Sequence, residues 1–253
     1  MNIFQRIGIW GKVIFAFLFS FGGSDKNIYS AQETVDKIAD GKSLIRFGDG
    51  EFGIFHEKDI HYQKWSPQLK EAFIKIKEDF ENLGEDCPFL LAVPQKFMQA
   101  NGFQLMKKRV YVSCWAQARY DFKREYRKDC AYGDAFLFEK NNKEIYSQIW
   151  NRETCPPNVI FVHNNEEYAR FFTETYQKNT VHVACPSKNA FEQLDMLEKE
   201  ILNLIEKNGW TNKDVSLAIS AGPAGKVLVY TFSKRGYQSI DAGHCWDEPL
   251  ENI

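Results

Sequence analysis

Apolar and polar positions along the chain fall into two alternating kinds of stretch. Ser43 to Phe47, Phe89 to Val93, Val110 to Cys114, Val159 to Val162, Val181 to Ala184 and Val215 to Ser220 are short, largely apolar runs. That is the pattern of strands covered on both faces in a parallel sheet. Gln238 to Asp241 ends a last, shorter one. Between them lie segments with helical spacing. Ser30-Ala31-Gln32-Glu33 is a capping box ahead of Thr34 to Ala39, with Gly41 as the stop. Ser66-Pro67 opens a helix whose Leu69, Phe73, Ile76, Phe80 and Leu83 share one face, ending at Gly84. Glu166 to Gln177, a long stretch from Ser187 to Asn208, and Val227 to Arg235 complete the set. Strands alternating with helices predict one α/β domain with a mostly parallel sheet and helices on both faces. Such sheets bind ligands at their strand ends. Pro94-Gln95-Lys96 and Trp115 to Arg119, each following an apolar run, are therefore expected to line a crevice.

The first 24 residues differ from the rest. Arg6 and Lys12 precede the apolar run Val13 to Phe21, which is too short to span a bilayer and is followed by a poor signal-cleavage site, Gly22-Gly23-Ser24. Two readings stay open. One is an interfacial anchor built from Trp10, the phenylalanines and the two cations; the other is a helix packed on the domain or on a second subunit. The expected organisation is an apolar N-terminal segment over 1–24 and one domain over 25–253, with Gly22 to Asn27 as the linker.

Ile45 to Gly53 carries the chemistry. Three glycines, at 48, 50 and 53, suggest a turn with positive φ that lets a ligand approach closely. Asp49 and Glu51 then project toward one point. Gly48-x-Gly50-x-x-Gly53 also matches the dinucleotide fingerprint, but two carboxylates beside the pyrophosphate seat would repel it, so a nicotinamide or flavin is rejected. An Asp-x-Glu site for a hard divalent cation is the better reading, since Mg²⁺ or Mn²⁺ takes one or two carboxylates and completes its shell with diphosphate oxygens and water. A solvated acidic turn is the bland alternative.

Arg46-Phe47-Gly48-Asp49-Gly50-Glu51-Phe52 resembles the motif of the bacterial GT-D type glycosyltransferase family. The similarity continues through Pro186 to Phe191, Ser220 to Lys226, Lys234 to Gln238 and Asp241 to His244, in the family's order and over most of the chain. The resemblance implies a Rossmann-like sheet and a nucleotide-sugar donor. It also implies a metal held by Asp49 and Glu51, where most such transferases use Asp-x-Asp.

Other residues take roles around that pair. Ser187 and Asn189 sit at an expected helix start, with Lys188 as a point charge suited to phosphate. Ser220 to Val227 looks like a P-loop but lacks its first glycine and its magnesium-binding hydroxyl, leaving Gly222 and Lys226 as parts of an amide cradle. Arg46, Lys188 and Lys226 offset phosphate charge, and Gly48 and Gly50 allow close approach. Asp241 or His244 is the expected general base. His56 and His61 are too widely spaced for the zinc-protease helix motif, and neither is assigned a metal.

Composition adds exclusions. With 34 acidic and 32 basic residues the net charge is −2, which leaves no electrostatic footprint for nucleic acid. The six cysteines form no Cys-x-x-Cys pair and read as reduced thiols of the core. The expected activity is Mn²⁺- or Mg²⁺-dependent transfer of a hexose from UDP-glucose or a similar UDP-sugar. The acceptor is a hydroxyl of a bacterial surface glycan or glycoprotein, and donor and acceptor rest on the resemblance alone. A nucleotide-sugar phosphohydrolase and a non-catalytic nucleotide-binding module are the alternatives. Sugar nucleotides are cytosolic, so the domain is expected in the cytoplasm, at the inner membrane face if residues 1–24 anchor it.

Overall fold

A computed structural model describes residues 3–107, 109–243 and Cys245. Among the described residues eight parallel strands form one sheet: β1 (Asn27–Ile28), β2 (Ser43–Arg46), β3 (Phe89–Val93), β4 (Ala131–Asp134), β5 (Asn158–His163), β6 (Asn179–Ala184), β7 (Val215–Ile219) and β8 (Ser239–Asp241). Their spatial order is β1-β4-β3-β2-β8-β7-β5-β6. From β2 the chain builds outward to one edge through β3 and β4. It then crosses to the far side and returns through β7 to β8, which pairs in parallel with β2. The strand order reverses at the sheet centre, where β2, β8 and β7 end side by side. Open α/β sheets bind ligands at such a switch point. Every residue of β3 and β7 is buried, as their unbroken apolar runs require.

Among the described residues eleven helices surround this sheet: α1 (Ile3–Phe19), α2 (Ala31–Ala39), α3 (Asp49–Phe55), α4 (Pro67–Leu83), α5 (Gln95–Met98), α6 (Gly102–Met106), α7 (Arg109–Glu125), α8 (Lys143–Asn151), α9 (Glu166–Tyr176), α10 (Leu194–Asn208) and α11 (Gly222–Lys234). The capping box at Ser30 and Glu33 forms, and Ser66 caps α4 through Leu69 N–H. Gly41 takes φ +99, beyond the end of α2.

Several expectations fail. Val110 to Cys114 is not a strand but the start of α7, so Trp115 to Arg119 lies in mid-helix rather than in a strand-end loop. Burial decides this. Trp115, Phe122 and Tyr126 are buried along one side of the helix, worth roughly 1.5–3 kcal/mol each, against a strand preference spanning only about 1 kcal/mol. Cys114 is consequently exposed, while the other five cysteines are free and buried. The presumed linker is pinned: Ser24 N–H donates to Met98 O at 2.8 Å, Lys26 is buried with its ammonium on Lys123 O at 2.7 Å, and β1 pairs with β4. Helix α1 packs on α7, as the packed-helix reading of the N-terminal segment expects. Arg119 ties the two together, donating to the carbonyls of Phe97, Ser20 and Ala100 from a buried position that pulls its pKa down to about 10. The helix expected from Ser187 begins only at Leu194, after a 3-10 turn over Ala190–Gln193.

Candidate active site at the centre of the sheet

Phe47 follows β2 fully buried, its N–H on Ala92 O at 2.8 Å, and fixes where the chain leaves the sheet. Gly48 then has φ −101 and ψ −172 and caps α3. The expected positive-φ glycine turn does not form: Gly48, Gly50 and Gly53 all have ordinary backbone, and the helix begins at Asp49 itself. Glycine is used at position 50 for packing, since a Cβ there would stand 3.1 Å from Ile60 Cδ1. Glu51 curls back so that its Oε2 accepts Gly48 N–H at 2.8 Å. A carboxylate therefore already holds an amide that a pyrophosphate would take in a dinucleotide fold.

Behind this turn lies a buried charge cluster. Lys226, 6% exposed, places its ammonium 3.0 Å from Asp241 Oδ2 and 3.4 Å from Glu51 Oε1. Arg46 closes the cluster, donating from Nε to Asp241 O at 2.8 Å and from Nη1 to Ala135 O at 2.9 Å, with its guanidinium 5.0 Å over the Phe138 ring. Gly243, at φ +54, passes so close to that guanidinium that no side chain fits. Burial alone would raise the Asp241 pKa, but Lys226 and Arg46 outweigh it and hold it below the usual carboxylate range. Burial would lower Lys226, yet Asp241 and Glu51 raise it.

In front of the turn is a cleft of about 550 Å³, within the usual range for small-molecule sites. Arg46, Gly48, Asp49, Gly50 and Glu51 line one side, and Ser187, Lys188, Gly222 and Lys226 contribute from the β6 and β7 ends. Nine of the sequence-derived site residues thus converge on one cavity. Asn189 does not: in a left-handed conformation it accepts Lys64 N–H at 2.9 Å and donates its own N–H to Tyr62 O at 2.8 Å. It ties a loop rather than facing a ligand. Asp241 is 1% exposed behind the cavity wall, and its low pKa and two cations suit a counter-ion, not a proton acceptor. His244 lies outside the described residues.

Sequence reasoning missed the loop that faces Asp49. Ile60 and Gln63 exchange backbone hydrogen bonds at 2.8 and 3.1 Å, so His61 and Tyr62 form the tip of a tight turn. Tyr62 stands against Gly222, and desolvation, then the Glu51 carboxylate, push its pKa up to about 12. His163, Asn164 and Phe136 also line the cleft. A second cleft of about 460 Å³ shares Asp49, Gly50, Ile60 and His61 with the first and runs between α3, α7 and α1. His56 stands there, its Nε2 2.6 Å from Asp121 Oδ2, and Asp121 accepts from Gln117 Nε2 at 2.8 Å.

The donor set suits a divalent cation that brings most of its own shell. Among the described residues no three His, Cys, Asp or Glu side chains converge on one point. Asp49 is exposed at the cleft rim and forms no ion pair among the described residues, whereas Glu51 Oε2 is spent on its helix cap and Oε1 faces Lys226. Although Asp49 reaches solvent, crowding by the cleft walls raises its pKa, and Glu51 adds to the rise. A cation beside both would relieve that repulsion. One free carboxylate, a second partly engaged, and oxygens from a ligand match the coordination habit of Mg²⁺ or Mn²⁺.

A family model described as the glycosyltransferase GT-D fold matches residues 44–249. Glycosyltransferase GlyD of Streptococcus pneumoniae serotype 4 is 27% identical over 235 residues, 84% of this chain and 26% of the relative. The probable glycosyl transferase Gly of Streptococcus gordonii is 21% identical over 238 residues, 86% of this chain and 32% of the relative. The chain therefore spans about a quarter to a third of the length of these curated relatives. A new glycosyltransferase from Streptococcus sanguinis superposes with a TM-score of 0.68 at 20% identity, covering 88% of this chain and 83% of that one. A structure described as domain of unknown function 1792, with a distinct glycosyltransferase fold, gives 0.70 at 21% identity, covering 92% and 83%. At these identities the structures establish the fold, and the family match covers most of the residues that build the cleft. The chain belongs to the glycosyltransferase GT-D fold family.

Proposed function

We propose that this domain transfers a hexose, glucose in the first instance, from a UDP-sugar to a hydroxyl of a bacterial surface glycan or glycoprotein. The observation that carries the reading is the pair of carboxylates on the first turn of α3, one free and one capped, facing a cleft of about 550 Å³ whose rear wall is Lys226. Asp49, with Glu51 beside it, would hold Mn²⁺ or Mg²⁺. Such an ion neutralises the charge that develops on a departing diphosphate. Lys188, exposed at the opposite wall, meets phosphate from the other side. Lys226 and Arg46 act one layer back: their charges are matched by Glu51 and Asp241, and they set the position of Glu51 rather than binding phosphate freely.

Transfer needs a second substrate at the same centre, which is why the junction of two clefts at Asp49, Gly50 and His61 supports a transferase over a phosphohydrolase. The acceptor enters along α7, and His61, at the junction, takes the proton from its hydroxyl. His61 replaces Asp241 in that role, because Asp241 reaches neither cleft. A cytosolic donor places the domain on the cytoplasmic side.

The test is calorimetric binding of UDP with Mn²⁺, with EDTA, and to Asp49→Asn. Metal-dependent binding that the variant loses is the expected result, followed by transfer from UDP-glucose that His61→Ala slows while leaving UDP affinity unchanged. Binding indifferent to metal and to Asp49 would sink the reading.

A further inference from the structure

From Gly8 onward α1 carries a single polar side chain, Lys12, although only one face of the helix is covered. Ala16 and Ser20, at its C-terminal end, are buried against the domain, held by Arg119 on the Ser20 carbonyl. The opposite face presents Trp10, Ile14, Phe15, Leu18 and Phe19 to solvent, each between 47% and 64% exposed, interspersed with Gly8 and Gly11, with Lys12 as the one charged side chain exposed on this stretch. A surface helix ordinarily puts charged or polar residues there. The patch continues onto α6: the Phe21 ring lies 5.6 Å from Phe17 and 4.9 Å from Phe103, and Phe103 and Met106 are themselves 68% and 52% exposed. Of the twelve large apolar side chains exposed among the described residues, eight belong to α1 and α6. Large contiguous apolar patches mark interaction surfaces.

Charge identifies the partner. The segments 1–24 and 95–120, which supply α1, α6 and most of α7, contain no aspartate or glutamate, in a chain whose net charge is −2. Within them lie Arg6, Lys12, Lys107, Lys108 and Arg109. Lys12 and Lys107 are exposed on α1 and just after α6. An apolar face with a tryptophan and several phenylalanines, with Lys12 and Lys107 exposed beside it, matches a helix lying in an anionic lipid interface. At 17 residues α1 is about 25 Å long, and among the described residues no helix is long and apolar enough to cross a membrane.

We infer that α1 and α6 form one lipid-facing surface that lays the domain flat on an anionic membrane, without spanning it. Ile9, Lys12 and Val13 of the same helix line the second cleft, so that cleft opens beside the lipid surface. The inference does not depend on the chemistry assigned to Asp49, and its test is separate from UDP binding.

The full chain is floated with vesicles of phosphatidylcholine and with vesicles containing about a quarter phosphatidylglycerol. The expected result is flotation with the anionic vesicles, weakened by salt, and on the order of tenfold or more weaker for the double variant Ile14→Glu with Leu18→Glu. Both positions are exposed, so the variant keeps its fold, which an unchanged urea unfolding transition verifies. Flotation with neither vesicle, or equal flotation of the variant, overturns the inference. So does a stable dimer that the same variant dissociates without any vesicle binding, since a second copy would then own the patch.

Discussion

The two glycine-bearing turns at the sheet centre, β2 to α3 and β7 to α11, look alike in sequence and are built in opposite senses. In the first, Gly48 has an extended conformation open to any residue, and the helix starts with two acids whose charge suits its N-terminal dipole. In the second, Gly222 is held at φ +53 with the Tyr62 ring against it, and the next turn of α11 buries a lysine. The first turn leaves Asp49 facing the cleft, while the second turns its charge inward onto Glu51 and Asp241. The contrast separates two arrangements: one turn leaves a carboxylate free at the cleft, the role the proposed function gives it, and the other props that turn up.

Removing the prop has the largest expected effect. Lys226→Met leaves Asp241 and Glu51 buried without their shared cation, and breaking a buried pair from one side costs roughly 3–5 kcal/mol. Urea unfolding of the variant should show that loss, with Lys226→Met/Asp241→Asn recovering a substantial part of it. The pH dependence has two arms. Asp241 has a lowered pKa, so its contribution is present above the ordinary carboxylate value of 3.8 and is lost as pH falls through the lowered one. Lys226 has a raised pKa, so its contribution is present below 10.5 and is lost as pH rises through the raised value. Both arms should flatten in Lys226→Met. A variant as stable as the parent would mean the cluster is not a prop at all.

The glycines give the next contrast. An alanine at 222 must adopt a left-handed conformation and meets Tyr62 Cε2 at 2.9 Å, so Gly222→Ala should cost about 1–3 kcal/mol and weaken UDP binding by displacing Tyr62. Gly48→Ala keeps an allowed φ and brings its Cβ to 3.3 Å from Glu51 Oε2, for a cost under about 1 kcal/mol. Equal costs would erase the distinction between the turns.

How much of this was legible follows from where each signal is stored. The buried strands β2, β3, β5 and β7 announce themselves because burial on both faces demands unbroken apolar runs. β4 was invisible: Ala131-Tyr132-Gly133-Asp134 carries turn residues, and Gly133 is there because a Cβ would lie 2.8 Å from Leu90 Cδ2 of the neighbouring strand. α7 was misread because Val110-Tyr111-Val112 favours a strand locally, while the burial that makes it a helix comes from residues further on. Most of the acidic and glycine positions of the cleft could be named from local motifs. Tyr62, His61 and His163 could not, since no local motif marks them: the Ile60–Gln63 turn places His61 and Tyr62, and the strand order brings His163 at the end of β5 to the same cleft. Asp241 shows the converse: a carboxylate at a strand end reads as a base until the structure puts Lys226 and Arg46 beside it.

The smallest effect on stability is expected at Asp49, and it sharpens the comparison most. Its pKa is raised by crowding and by Glu51, so its contribution to stability is fully present below the unfolded value of 3.8 and is lost as pH rises through the raised folded one. Near neutral pH the Asp49 charge therefore slightly opposes folding. Asp49→Asn removes it, and the variant should be unchanged or more stable by less than about 0.5 kcal/mol at pH 7, an advantage that fades on acidification. Ligand binding should respond in the opposite way. Metal-dependent UDP binding by the parent should weaken as Asp49 protonates, while the variant should lack it at every pH. A side chain that costs the fold a little and gives the site its affinity is what a ligand-facing turn requires. If Asp49→Asn instead destabilises like Lys226→Met, Asp49 belongs to the prop, and the β2 to α3 turn has no free carboxylate to offer a metal.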